Sequence, residues 1–190
     1  MGETRLILRR SLIAEPKTDR LSLDLTPNSS PKRRGECAVL LDNIRSAWNV
    51  GSILRSADGF GFAHAYLCGI TPTPENEAVS KTALGAEDTV TWSLHKDAVK
   101  LIKGLKKEGW KVKALEDDRR SVSIKDEGAR TKVDPEAENR VVLIVGNEAT
   151  GVDPGLLDLC DQIYHIPMRG EKKSFNVAIA FSVAAFQMQK

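Results

Sequence analysis

The segment VVLIVGNEATG, residues Val141–Gly151, joins five consecutive apolar residues to a turn that begins and ends with glycine. No polar residue alternates with the apolar ones, which is typical of a strand covered by helices on both faces of a parallel sheet. Before it, short apolar segments such as 38–41 and 63–68 alternate with segments of helical periodicity at 50–59 and 95–107. This alternation predicts an α/β fold with a mostly parallel sheet flanked by helices.

Length and composition limit the class of protein. The chain has 190 residues, of which 41% are hydrophobic and 28% charged, as expected for one soluble globular domain with a short extension. No apolar run approaches the ~20 residues of a membrane span, and the first residues lack the apolar core of a secretory signal. The 3 cysteines are far apart and form no C-x-x-C pair, which indicates reduced thiols and no bound metal. We therefore expect a cytoplasmic protein without a membrane partner.

Positive charge is concentrated near the N-terminus. Residues 1–36 contain eight Lys or Arg and five Asp or Glu, whereas the formal net charge of the whole chain is only +2. The Pro- and Ser-containing segment 27–35 is typical of a boundary between a tail and a folded core. We predict a basic, partly flexible extension over 1–36 and a folded domain over 37–190. The extension is either a solvated tail or an arm whose Arg33 and Arg34 contact nucleic-acid phosphates.

Three loops follow predicted strands, which is where ligands bind in open parallel sheets. The first contains NVGSILR, Asn49–Arg55; the second is GNEATG, Gly146–Gly151; the third is IPMRGEKKSFNV, Ile166–Val177, which leads into a helix expected from about Phe175. Taken singly, each has an ordinary structural explanation as a helix cap or a tight turn. Asn49, for example, is expected to cap the helix that follows it.

In this order and at this spacing, the three segments resemble the signature motifs of the SpoU/TrmH-like branch of the SPOUT superfamily of RNA methyltransferases. Those motifs are N-x-G-x-x-x-R, then G-N-E-x-x-G, then I-P-M-x-G followed by S-x-N-V. The resemblance covers about Val39 to the C-terminus. This sequence departs from the usual pattern at Phe175, where Leu is common, at Ala178, where Ser is frequent, and in the charged loop 169–173.

The resemblance implies a C-terminal segment, roughly 141–190, that forms a deep trefoil knot, a feature that sequence periodicity does not predict. It also implies methyl transfer from S-adenosylmethionine to a ribose 2′-hydroxyl of RNA, without a metal, by a homodimer that combines residues of both subunits. Because no separate RNA-binding domain precedes the folded region, we expect tRNA more than rRNA. The implied catalytic residues are Arg55, Asn49, Glu148, Ser174 and Asn176; the implied cofactor-binding residues are Leu115, Gly146, Ile166, Met168, Ser174 and Phe175; and the implied RNA contacts are Arg55, Lys172, Lys173, Arg33 and Arg34.

Two alternatives stay open at this stage. The family assigns proton removal to the arginine at position 55, yet a guanidinium normally stays protonated, so anchoring of an RNA phosphate is the role with better physical support. The second alternative is a catalytically inactive RNA-binding or assembly module with the same fold, which the intact Arg55, Glu148 and Asn176 disfavour. A nucleotide-binding oxidoreductase would need a G-x-G-x-x-G fingerprint, and the sequence contains none.

Overall fold

The computed structural model describes residues 36–126 and 140–188. Arg33 and Arg34, with the rest of residues 1–35, and the segment 127–139 lie outside the described residues. The strands are β1 Cys37–Asp42, β2 His64–Cys68, β3 Thr91–His95, β4 Lys111–Leu115, β5 Val122–Ser123, β6 Val141–Val145 and β7 Gln162–His165. The helices are α1 Ala47–Gly59, α2 Glu77–Ala83, α3 Ala86–Thr89, α4 Ala98–Lys107, α5 Pro154–Leu157 and α6 Val177–Gln187, and a short 3-10 turn spans Ile124–Asp126.

The strands form one seven-stranded sheet in the order β3-β2-β1-β6-β4-β7-β5. Each neighbouring pair is parallel, which confirms the predicted fold class. The apolar strand β6 lies near the centre, with Val145 in register with Leu41 of β1 and Leu115 of β4. The carboxyl ends of these three strands are therefore level, and the loops that leave them begin side by side.

Helices cover both faces of the sheet, and alternate strand residues face the two layers. In β1, Val39 and Leu41 belong to the core that packs against α1, α2 and α6. Ala38 and Leu40 belong to the second core, against α4 and α5. All four are fully buried, as expected when a parallel strand has no solvent-facing side.

Several boundaries differ from the sequence prediction because polar caps decide where a helix begins. Helix α1 begins at Ala47, since the Ser46 hydroxyl, and not Asn49, accepts a hydrogen bond from the first turn. Strand β3 extends to His95, so α4 begins only after the Asp97 cap. The last helix begins at Val177, two residues later than expected, because Asn176 is its cap.

Two short elements, α3 and β5, were not predicted, since four and two residues are too few to show a period. No helix among the described residues is long and apolar enough to cross a membrane. The threading of the C-terminal segment through a knot stays a prediction.

Candidate functional site at the carboxyl edge of the sheet

The site begins at the turn that follows β6. Asn147 and Gly151 exchange two backbone hydrogen bonds of 3.0 and 2.9 Å, which close the turn. Gly151 has a φ of +72°, in the left-handed region that favours glycine. A Cβ atom on Gly146 would collide with the backbone of Gly151 and Val152. The shape of the turn therefore requires glycine at both positions, and the turn places Glu148 exposed at its tip.

The Glu148 carboxylate joins this turn to the segment that begins α1. Its Oε2 accepts a hydrogen bond from the backbone N–H of Arg45 at 2.9 Å. Its Oε1 accepts from the Ser46 N–H at 3.1 Å and from the Asn49 side-chain amide at 2.8 Å. The carboxylate is therefore occupied as an acceptor of three hydrogen bonds, which suits it to hold other groups in position rather than to remove a proton.

Asn49 also forms a hydrogen bond with the third segment. The Asn176 side-chain amide donates to Asn49 Oδ1 at 3.0 Å, while Asn176 Oδ1 accepts from the N–H of Ala178 at the start of α6. One continuous chain, Glu148–Asn49–Asn176, thus connects residues 99 and 127 positions apart in sequence. The three segments singled out in the sequence do meet in space.

The pKa of Glu148 reflects these contacts. Partial burial raises the pKa, but the hydrogen bonds from the Arg45 N–H, the Asn49 amide and the Ser46 N–H outweigh it, so the net shift is downward. The carboxylate consequently stays ionised at neutral pH.

Arg55 lies six residues, or about 1.7 turns, after Asn49 on α1, and it is exposed. Its side chain forms no hydrogen bond or ion pair with any other residue in the described ranges. A guanidinium carries five donors, so Arg55 is available to bind an anion from outside its own chain.

The third segment contributes backbone more than side chains. Within residues 36–126 and 140–188, the backbone of residues 167–175 makes no hydrogen bond, so its N–H and C=O groups remain available to a ligand. Ile166 and Met168 are half-buried beside it, and Leu115 ends the neighbouring strand β4. The remaining candidates, Lys172, Lys173, Ser174 and Phe175, are exposed, and Phe175 shows 44% of its surface. Free backbone groups next to half-buried apolar side chains fit an adenosine-containing cofactor such as S-adenosylmethionine.

Two further residues, missed in the sequence, position the loop after β1. Thr71 is buried, with only 3% of its surface exposed. Its hydroxyl oxygen accepts a hydrogen bond from the Ile44 N–H at 3.0 Å. The same hydroxyl can donate to the Cys68 or the Leu41 carbonyl oxygen, which lie 2.7 and 3.0 Å away. The Asp42 carboxylate accepts from the Asp153 N–H at 3.0 Å, and burial raises its pKa. Neither residue belongs to a quoted motif, although a threonine between a strand end and two prolines was a detectable signal.

An apolar surface lies next to the site. Helix α6 is apolar on nearly all sides: Phe181, Ala184 and Ala185 face the core, whereas Ile179 and Val183 are 53% and 40% exposed. Ile179, Val183, Ser52, Asn176 and Ser182 are among the residues that line an open groove of about 470 Å³. A helix that is hydrophobic all round is normally covered on every side.

Comparisons with known proteins agree with this geometry. Residues 36–186 match the SpoU rRNA Methylase family. A tRNA (guanosine(18)-2'-O)-methyltransferase of Thermus thermophilus is 30% identical over 161 residues, which cover 84% of this chain and 77% of that protein. A 23S rRNA (guanosine-2'-O-)-methyltransferase of a Burkholderia species is 28% identical over 155 residues, and there the chain spans only 57% of the relative.

Solved structures give the same result. An AdoMet-bound rRNA methyltransferase from Sinorhizobium meliloti superposes with a TM-score of 0.72 at 27% identity, over 83% of this chain and 57% of that one. The A. aeolicus TrmH/SpoU tRNA modifying enzyme gives a TM-score of 0.68 at 26% identity, over 83% and 76%. The SpoU/TrmH-like resemblance is thereby confirmed, and the chain belongs to the SpoU rRNA Methylase family.

Proposed function

We propose that this protein transfers a methyl group from S-adenosylmethionine to the 2′-hydroxyl of a ribose in RNA, with tRNA as the substrate. The hydrogen-bond chain Glu148–Asn49–Asn176 carries the proposal, because it unites three distant segments at one edge of the sheet. The relatives named above act on tRNA or on 23S rRNA. The tRNA-directed Thermus protein supports tRNA, since this chain matches 77% of its length.

Bound S-adenosylmethionine supplies an electrophilic methyl group on a sulfonium. The free backbone groups of residues 167–175, with Ile166, Met168, Leu115 and Gly146 around them, would hold it. Backbone donors and acceptors at fixed positions can recognise the polar edge of an adenine without a charged side chain. Ser174 and Phe175 lie where this segment enters α6, so the position of that helix sets theirs.

The remaining task is to align a ribose oxygen with the methyl group and to draw off its proton. Arg55, Asn49 and Asn176 perform the alignment: Arg55 binds an RNA phosphate, while the amides hydrogen-bond the ribose. The RNA phosphate that Arg55 binds takes up the hydroxyl proton, and the Arg55 guanidinium stabilises the negative charge that develops on the attacking oxygen. Glu148 is a positioning residue, since it fixes the Asn49 side chain at 2.8 Å. Lys172 and Lys173, with Arg33 and Arg34, add attraction for phosphates.

The protein acts as a homodimer in this proposal. A second copy covers the exposed face of α6 around Ile179 and Val183, where the groove opens. Arg55 of one subunit then reaches the cofactor segment of the other, which explains a guanidinium that has no partner within the described part of one chain. Light scattering should give twice the mass of the chain, and Val183→Glu should give the single mass because a buried charge opposes association. A wild-type monomer that methylates RNA would contradict this step.

The decisive experiment combines product analysis with cofactor binding. The full chain is incubated with S-adenosylmethionine and an unmodified tRNA transcript or rRNA fragments, and nuclease digests are analysed by mass spectrometry. We expect a 2′-O-methyl nucleoside from tRNA. Calorimetric titration with S-adenosylmethionine distinguishes the enzyme from the alternative, because an inactive RNA-binding module would bind RNA but no S-adenosylmethionine. Methylation of rRNA fragments alone would keep the reaction and overturn the tRNA assignment.

A further inference from the structure

A row of lysines lies on the outer face of α4, on the side of the sheet opposite α1 and α6. Lys100, Lys103 and Lys107 are spaced three and four residues apart, so they share one face of the helix. Lys96 precedes the Asp97 cap, and all four lysines are exposed. The helix buries Ile102 and Leu105 on its other side. We call Lys96, Lys100, Lys103 and Lys107 the α4 lysine face.

This charge is not balanced locally. No Asp or Glu occurs within Ala98–Lys107, and the acids nearest to it in sequence, Asp97 and Glu108, cap the two ends of the helix. Lys106, which also belongs to α4 but not to the α4 lysine face, differs from these lysines because it pairs with Asp161 at 2.9 Å. None of the four lysines of the face forms an ion pair with a carboxylate of residues 36–126 or 140–188.

Helix stability does not account for the arrangement. Like charges three or four residues apart destabilise a helix by about 0.2–0.5 kcal/mol for each pair. The helix dipole disfavours Lys96 and Lys100 at the N-terminal end, whereas it favours Lys107 in the last turn. A solvated surface normally mixes both signs of charge. The chain therefore keeps a one-sign row at some expense in stability, which favours an external polyanion as its partner.

The position of the face connects it to the candidate site. Helix α4 follows β3, so Lys96 lies at the carboxyl edge of the sheet, the same edge as Glu148. Strand β3 is two positions from β1, which is about 10 Å along that edge. From Lys100 to Lys107 the row continues for about 10 Å down the helix. An RNA bound at the site could cross this edge and follow the lysines.

We propose that the α4 lysine face is a second RNA-binding surface, which contacts the phosphate backbone of the substrate outside the methylated nucleotide. The inference rests on the proposed function for the identity of the polyanion. It predicts sequence-independent contacts, because lysine ammonium groups bind phosphates as point charges. Each contact releases condensed counterions, so the affinity should depend on salt.

The test compares two double variants of the full chain with the same loss of charge. Lys100→Gln with Lys103→Gln removes two lysines of the face. Lys81→Gln with Lys125→Gln removes two exposed lysines elsewhere. Binding of a fluorescent unmodified tRNA transcript is measured by anisotropy over a series of salt concentrations. Relative to the control variant, the α4 variant should reduce the slope of log affinity against log salt by about 1.4–1.8, or 0.7–0.9 for each contact. The KM for RNA should rise with kcat unchanged.

Equal slopes for the two double variants would overturn the inference. So would loss of binding to vesicles that contain anionic phospholipid with no change in RNA binding, since the face would then serve a membrane. The midpoint temperature of thermal unfolding should be no lower for the α4 variant than for the wild type, because the substitutions remove pairs of like charges. If the wild type binds RNA but yields no methylated product, the proposed reaction fails while the slope comparison still decides the role of the face.

Discussion

The two faces of the sheet differ in how their polar groups are used. On the α1–α6 face, Glu148, Asn49 and Asn176 form a chain of hydrogen bonds between distant segments, and Arg55 lies exposed beside it. On the α4 face, His64, Ser93 and His95 form a second chain, which connects only two neighbouring strands. The first chain holds the edges of loops in place, whereas the second stabilises the sheet itself. Substitutions on the two faces should therefore affect different measurements.

Arg55→Ala should have the largest effect, on activity alone. Removing one preorganised charge that stabilises a developing negative charge typically slows catalysis by about 10²–10³-fold. Because Arg55 has no partner within the described residues of its own chain, the free energy of unfolding should stay within experimental error. Methyl transfer and urea unfolding are measured on the same preparation. Full activity in this variant would remove Arg55 from the mechanism.

Acid should act on the α4 face. Burial, with a smaller contribution from the charge of His95, lowers the pKa of His64 from 6.5 to about 4. The unfolded chain then binds a proton at His64 more tightly than the folded chain does. The contribution of His64 to the free energy of unfolding is therefore largest above pH 6.5. As the pH falls from 6.5 to about 4, this residue should reduce the free energy of unfolding by about 3 kcal/mol.

Urea unfolding from pH 8 to pH 4 measures this effect. His64→Gln should be less stable than wild type at pH 8 but lose less stability on acidification, since it has no proton to gain. Parallel curves for the two proteins would show that other groups cause the acid sensitivity.

Glu148→Gln should have a smaller effect on the α1–α6 face. A glutamine has one acceptor oxygen where the carboxylate has two, so either the Arg45 N–H or the Ser46 N–H and Asn49 amide lose an acceptor. We expect kcat to fall about tenfold, the value of one charge-assisted hydrogen bond at a partly exposed site, with S-adenosylmethionine affinity unchanged. The ionised form is favoured in the fold, so any stability it adds is present above its ordinary pKa and lost as pH falls through the lowered one. An unchanged kcat would show that Asn49 does not depend on Glu148.

Lys106→Gln should have the smallest effect. Lys106 donates to Asp161 at 2.9 Å and to the Leu159 carbonyl at 2.7 Å, but a third of its side chain is exposed. A pair of this kind contributes about 0–1 kcal/mol. Thermal unfolding should shift by a few degrees at most, with RNA affinity like that of wild type. A large loss of RNA affinity would extend the binding surface beyond the α4 lysine face.

The sequence by itself determined the parallel α/β class and the three segments of the site. An unbroken run of five apolar residues is typical of a strand with both faces buried, and its alternation with segments of helical period indicates which elements are helices. The motifs in Asn49–Arg55, Gly146–Gly151 and Ile166–Val177 also sufficed for the family. These features are local, because they depend on residue types a few positions apart.

Only the tertiary structure decided how those segments are joined. The contacts from Glu148 to Asn49 and from Asn49 to Asn176 span 99 and 127 positions, and no periodicity encodes a contact at such a separation. The first residues of α1 and α6 were also not predicted correctly. Ser46 and Asn176 each have neighbours that could cap a helix, and which residue does so depends on the N–H groups that the folded loop places near its side chain. The unbalanced lysines of α4 are visible in the sequence, but the position of Lys96, where the row begins, at the edge shared with the site follows from the parallel strands of the sheet.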